Sequence, residues 1–115
     1  MLHKMKLQHG PFEAIREGNK TIELRLYDEK RQGVQVGDEI EFTDLSDPSR
    51  KLLTSVSALH RFNNFGEMFR VLPASAMGYE EGQIPKTEDM ELYYSKEKQA
   101  LYGVIGIEIA LLGDR

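Results

Sequence analysis

Gly18-Asn19-Lys20-Thr21-Ile22-Glu23-Leu24-Arg25 is the stretch whose reading decides the fold. Gly18 and Asn19 stop a short helix, and a strand leaves the stop carrying Lys20, Glu23 and Arg25. A strand sends successive side chains to opposite faces, so Ile22, Leu24 and Leu26 share one face and Thr21, Glu23 and Arg25 share the other. The apolar row is the natural core face. The polar row lines up a hydroxyl, a carboxylate and a guanidinium. A half-buried strand with a merely solvated charged face would read the same way. The whole pattern Gly-x-Lys-x-x-Glu-x-Arg at a helix exit is what points to a built site.

That pattern resembles the signature of the activating signal cointegrator homology (ASCH) domains, members of the PUA-like superfamily of β-barrels. Gly18, Lys20, Glu23 and Arg25 fill all four motif positions. The similarity continues through Thr21 to Gln32, Val36 to Phe42 and Met90 to Ile109, which resemble the small bacterial stand-alone members, and is weakest between about Asp44 and Pro85. The resemblance implies a small barrel with the first helix lying over it and a cleft beside the motif strand.

Composition is consistent with that size. A chain of 115 residues has room for one core, so residues 1–115 are expected to form a single domain. Apolar residues make up 40% and charged residues 30%, as in folded soluble chains. No apolar run approaches the roughly 20 residues of a membrane span, and the first residues lack the apolar core of a signal peptide. Cysteine is absent, which removes disulfides, thiolate metal sites and cysteine nucleophiles and suits a reducing cytoplasm, the expected location.

Net charge is −4, and nucleic-acid binders usually draw on positive charge. The distribution matters more than the sum. Residues 1–61 balance ten Lys and Arg against ten Asp and Glu, whereas residues 62–115 hold five against nine. The first part could present a local basic patch from Lys20, Arg25, Lys30, Arg31, Arg50, Lys51 and Arg61, or scatter these charges over a solvated surface. A sequence-blind duplex binder is disfavoured, and a pocket for one nucleotide suits the balance better.

Patterning predicts a short strand over Met5–Gln8 and a helix over Pro11–Glu17 that opens on Pro11. The motif strand covers Thr21–Tyr27, and Asp28–Val36 is a polar connection. Strands follow over Glu39–Thr43 and Lys51–Phe62, separated by a loop over Asp44–Arg50 rich in Asp, Ser and Pro. Helices are expected at Phe65–Leu72 and Thr87–Ala100, the second capped by Thr87, with a loop and one helical turn over Pro73–Lys86 between them. Val104–Leu111 is the last strand. The order β-α-β-β-β-α-α-β defines an α+β domain, a small partly closed PUA-like barrel of five or six mostly antiparallel strands with flanking helices. Ile22, Leu24, Leu26, Ile40, Phe42, Val104, Ile105, Ile107 and Ile109 are expected to fill the barrel and its immediate cover, although Val104 and Ile105 cannot both face inward on a regular strand.

The chemistry-bearing candidates are Lys20, Glu23, Arg25, Thr21 and Arg61 as ligand- or RNA-binding residues. Lys20 can serve as a cation or, when desolvated, a base; an exposed lysine at a strand start would look the same. Glu23 and Arg25 are close enough to pair, either as a structural anchor or as a carboxylate orienting a guanidinium fork toward an anion or base edge. One ASCH branch hydrolyses N4-acetylcytidine with a threonine nucleophile at the position of Glu23, a lysine at the position of Lys20 and a glutamate for which Glu67 is a loose match. A carboxylate cannot replace that hydroxyl without forming a mixed anhydride, so amidohydrolase stands as the alternative. Tyr27, Tyr79, Tyr93, Tyr94 and Tyr102 could stack a base, and Tyr93 and Tyr94, adjacent on a helix, would not both face one site. His3, His9 and His60 have no zinc-site spacing, and neither a metal nor a cofactor is expected; His60 sits where it could border the cleft. The leading expectation is a monomeric protein that binds RNA or a nucleoside-like ligand beside Lys20, Glu23 and Arg25. The alternatives are a hydrolase on RNA or a modified nucleoside in the same cleft, amidohydrolase or nuclease, and a module whose acidic second half contacts protein.

Overall fold

The computed structural model of the chain describes residues 1–114. Its centre is a five-stranded sheet in the order β1-β3-β4-β5-β2, curled into a half-barrel. β1 (Leu2–Leu7) runs parallel to β3 (Glu39–Asp44), and β3 pairs antiparallel with β4 (Asp47–Phe62). β4 pairs antiparallel with β5 (Val104–Asp114), which pairs antiparallel with β2 (Ile22–Leu26). β1 and β2 are therefore the free edges, the places where unpaired backbone groups invite a stray strand.

α1 (His9–Arg16) buries Phe12 and Ile15 against the sheet. It ends where Gly18 takes φ +83°, a left-handed turn that suits a residue without a Cβ, and the N–H groups of Asn19 and Lys20 fold back to donate to Ala14 O. This return delivers Lys20 to the start of β2. The polar connection after β2 contains one turn of helix, α2 (Glu29–Gln32), capped by the Asp28 carboxylate accepting from Arg31 N.

Further differences from the pattern-based expectation have local causes. The loop placed at Asp44–Arg50 is a two-residue turn, Leu45-Ser46, with β4 already extended from Asp47. Asp44 and Asp47 accept bonds from Ser46 and Ser49 backbone N–H groups, and a register irregularity absorbs Pro48. The helix expected over Thr87–Ala100 is two, α4 (Thr87–Glu91) and α5 (Lys96–Tyr102). Ser95 restarts the chain as the cap of α5 by accepting from Lys98 N, and Lys86, not Thr87, is the cap position of α4. α3 (Phe65–Val71) and a 3-10 turn at Ser75–Met77 precede them.

The apolar residues expected in the core are buried, but in two clusters on opposite faces of the sheet. Ile40, Phe42, Ile105, Ile107 and Ile109 lie inside the half-barrel with Phe12 and Ile15. Ile22, Leu24, Leu26 and Val104 face outward, beneath a cover that includes Phe65, Met68, Met77 and Met90. The cover approaches closely at Gly106, where a Cβ would stand 3.0 Å from Leu72 Cδ1 and 3.1 Å from Ile22 Cγ2. Each large side chain buried in this way contributes about 1.5–3 kcal/mol. The apolar row of β2 thus belongs to the cover, and its polar row shares the barrel side with Ile105 and Ile107, the register partners of Arg25 and Glu23.

Candidate functional site

With its apolar row beneath the helices, β2 turns Glu23 into the wall of the half-barrel, and Glu23 is only 4% exposed. A carboxylate there is costly unless paired. Lys20 Nζ lies 2.9 Å from Oε1, and Arg25 Nε donates to Oε2 at 2.7 Å. Burial alone would push the Glu23 carboxyl up, but the Lys20 and Arg25 charges outweigh it and hold the group below the usual carboxylate range. Glu23 is therefore an anion bridging two cations. The opposing trend keeps Arg25 charged: burial works against the guanidinium, and Glu23 more than restores it. Arg25 Nη2 also donates to Lys6 O at 2.8 Å. The stem of Lys20 packs on Gly78, where φ is +98° and a Cβ would lie 3.1 Å from Lys20 Cδ, so glycine suits this position on both counts.

Lys20, Glu23 and Arg25 line one cleft of about 560 Å³ together with Lys6, Leu24, Met77, Met90 and three tyrosines, Tyr79, Tyr93 and Tyr94. The three motif side chains form its buried end. Leu92 and Tyr93, 84% and 60% exposed, mark its rim. Tyr93 and Tyr94 both line it, contrary to the expectation for helix neighbours, because α4 ends before them and they do not lie on one continuous helix. Tyr94 stacks on Phe65 with centroids 6.1 Å apart, and burial raises its phenol. The Tyr79 hydroxyl donates to Asp89 Oδ2 at 3.1 Å; burial and that bond push the phenol up to about 12.

The other sequence candidates lie elsewhere. Thr21 is exposed and outside the cleft lining; its backbone is tied to Ala76 O and Ile109 N. Arg61 lies over the Tyr27 ring, 3.9 Å from Cζ to the centroid, in a second and larger groove of about 840 Å³ between α3 and α5. Glu67, the loose match to the glutamate of the amidohydrolase branch, also lines that groove and is not with Lys20. His60 bonds to Glu108 and does not border the cleft. Among the described residues His9, Glu13 and Asp44 bring ligand-type atoms within 4.8 Å of one another, but Arg50 Nη2 already sits 2.6 Å from Glu13 Oε1, Arg16 bonds Glu13 Oε2, and Asp44 is bonded to His9 and Ser46. The cleft residues that pattern reading passed over include Lys6, Met77, Gly78, Leu92 and Asp89. Only Asp89 carried a signal, as the carboxylate three residues past the Lys86 cap, which accepts from Lys86 N.

A motif-lined cleft on a curled five-stranded half-barrel defines the class, and the comparisons agree with it. The ASCH domain model matches residues 5–113, so the chain belongs to the ASCH domain family. Two solved structures are similar over nearly the whole chain. The hypothetical protein PH0355 is 30% identical, covering 97% of this chain and 100% of that one, with a TM-score of 0.81. Protein PF0455 from Pyrococcus furiosus is 34% identical, covering 97% and 98%, with a TM-score of 0.75. The S128A mutant of ZmASCH from Zymomonas mobilis, 12% identical over 95% of this chain and 67% of that one, shares the fold with a TM-score of 0.67. No curated protein matches the sequence. Among the described residues no helix is long and apolar enough to cross a membrane.

Proposed function

We propose that this protein binds RNA or a nucleotide-like ligand in the cleft beside Lys20, Glu23 and Arg25. One observation carries the reading: a fully engaged carboxylate holds two cationic donors at the buried end of a cleft whose lining includes Tyr93 and Tyr94. Cationic donors and aromatic faces are the two elements with which proteins hold unpaired nucleotides. The cleft is of the size that takes a small molecule or a single nucleotide. The membership in the ASCH family supports the same direction.

Salt dependence tests it. A site that meets one phosphate predicts a slope of log K against log salt of about −0.7, whereas a surface that tracks a strand gives several times that. A slope steeper than about −3 would move the interaction out of the cleft and onto a charged surface.

The hydrolase reading is less well supported. No Ser, Thr, Cys or His is among the cleft-lining residues, Glu23 is held ionised between two cations, and the Tyr79 phenol stays protonated. Glu23, with both oxygens engaged by Lys20 and Arg25, is not free to activate a nucleophile.

A further inference from the structure

We infer that the cleft takes its ligand phosphate-first: a singly charged phosphodiester seats against Lys20 and Arg25, and the attached bases lie outward along Tyr93. This rests on the nucleotide-binding reading above and specifies which part of the ligand meets the buried end.

Charge is the first support. Lys20, Glu23 and Arg25 have side chains 11%, 5% and 13% exposed, so they sit in a medium that screens poorly. Two cations against one anion leave a single positive charge there. Elsewhere in the lining the Asp89 carboxylate, bonded to the Tyr79 hydroxyl and the Lys86 N–H, is offset by the Lys6 ammonium, so the lining as a whole also carries one positive charge. A ligand group with one negative charge completes the balance; a neutral one leaves the cation buried beneath it.

Hydrogen-bonding capacity is the second. Glu23 has both oxygens engaged, one by each cation. Arg25 has Nε on Glu23 and Nη2 on Lys6 O, and among the described residues its Nη1 has no partner. Arg25 Nη1, the second Nη2 proton and the remaining Lys20 protons are what the two motif cations can offer, and all of them are donors. The Watson–Crick edge of each base mixes donors with acceptors. Seated against this end, a base would bury a donor with nothing to receive it, at the cost of an unsatisfied polar group. The two non-bridging oxygens of a phosphodiester only accept, and they match a fork and an ammonium.

The rim is the third. Tyr93 is 60% exposed and lines the cleft, with its ring centroid 6.4 Å from that of Tyr94. An exposed aromatic ring outside, Tyr93, and cations inside order the ligand as base out and phosphate in.

The test compares a dinucleoside phosphate with the same molecule carrying an uncharged methylphosphonate linkage and with the free nucleoside, by calorimetric titration of the intact chain. The neutral linkage should weaken binding by at least about tenfold, the effect of one charge-assisted hydrogen bond. Lys20→Met, checked for folding by thermal melt, should bring the two dinucleosides close together, and Tyr93→Ala should weaken both to the same degree. Dimethyl phosphate should displace the dinucleotide from the parent, an arm that needs no variant, and acetate should do so far less well. Equal affinity of the parent for the charged dinucleoside, the neutral one and the nucleoside would overturn the phosphate-first placement while leaving nucleotide binding standing. Displacement by acetate as effective as by dimethyl phosphate would make the buried end a general anion site and overturn the phosphodiester assignment. Binding of none of the three probes would remove the nucleotide reading itself, and the inference with it.

Discussion

Arg25 on β2 donates from Nη2 to the main-chain oxygen of Lys6 on β1, at 2.8 Å. These two strands are the free edges of the sheet, so one side chain spans the gap that the hydrogen-bond ladder leaves open. Lys30 Nζ, from α2 just after β2, makes a second contact with β1, 3.0 Å to Lys4 O. Both links answer carbonyls of an edge strand with charged side chains, which discourages another chain from pairing there. The residue that bridges the two edges is also a residue of the cleft, so fold and site share one guanidinium.

Arg25→Lys separates charge from geometry. A lysine keeps the charge but cannot present Nε to Glu23 and Nη2 to Lys6 O together. We expect a loss of about 1.5–3 kcal/mol in chemical denaturation, the worth of a charge-assisted hydrogen bond. Unchanged stability would mean that the link between the edges contributes nothing.

Glu23→Gln keeps the shape and removes the anion between two cations. Breaking a buried ion network from one side costs about 3–5 kcal/mol, and the loss should appear in a thermal or urea melt. A variant as stable as the parent would show that Lys20 and Arg25 are solvated well enough to do without their counter-ion.

How much of this was legible in the sequence depends on which interactions are local. The motif strand, α1 and its glycine stop could be read because alternation and helix-stop chemistry act over a few residues. Which face of β2 met which core could not. Ile22, Leu24 and Leu26 look like barrel residues, and only the arrival of Phe65, Met68, Met77 and Met90 from later in the chain makes them cover residues. That reversal is also why Glu23 is buried rather than solvated. The break at Leu92–Ser95 was missed because Tyr93 and Tyr94 fit a helical pattern, whereas Ser95 prefers to cap a new helix. Charge and a place at the end of the long strand group Arg61 with the motif, but its side chain turns instead to Tyr27.

Acid should unfold the protein through specific carboxylates. Asp38 lies near 2, lowered from 3.8 chiefly by its bond to His3 and by Gln35 N. Asp44 is also near 2: burial opposes ionisation there, and the bonds from His9 and Ser46 prevail. Glu23 is lowered as well. A lowered folded-state value means the unfolded chain takes up protons first, so stability is complete above the ordinary carboxylate values and falls as pH drops toward about 2. Melting temperature against pH should decline across that window, less steeply in Asp44→Asn. A flat profile from neutral pH to about 2 would contradict these assignments.

Incubation with N4-acetylcytidine should release no cytidine, because Glu23 stands where the resemblance to the amidohydrolase branch implies a threonine nucleophile, and among the described residues the cleft lining lacks serine and threonine. Chromatography of the reaction decides it. Rapid turnover by the purified parent, lost in Lys20→Met, would replace the binding reading with the amidohydrolase.

The most direct measurement of the central claim is a titration of the protein with a short single-stranded RNA, followed residue by residue through backbone amide NMR shifts. The parent should show its largest shifts at Lys20 to Arg25, Met77 to Tyr79 and Asp89 to Tyr94, the segments that meet in the cleft. Lys20→Met, folded by the same spectra, should bind at least about tenfold more weakly. Shifts gathered instead around Tyr27, Arg61 and Lys96, with affinity unaffected by Lys20→Met, would contradict the account and place any RNA contact in the other groove.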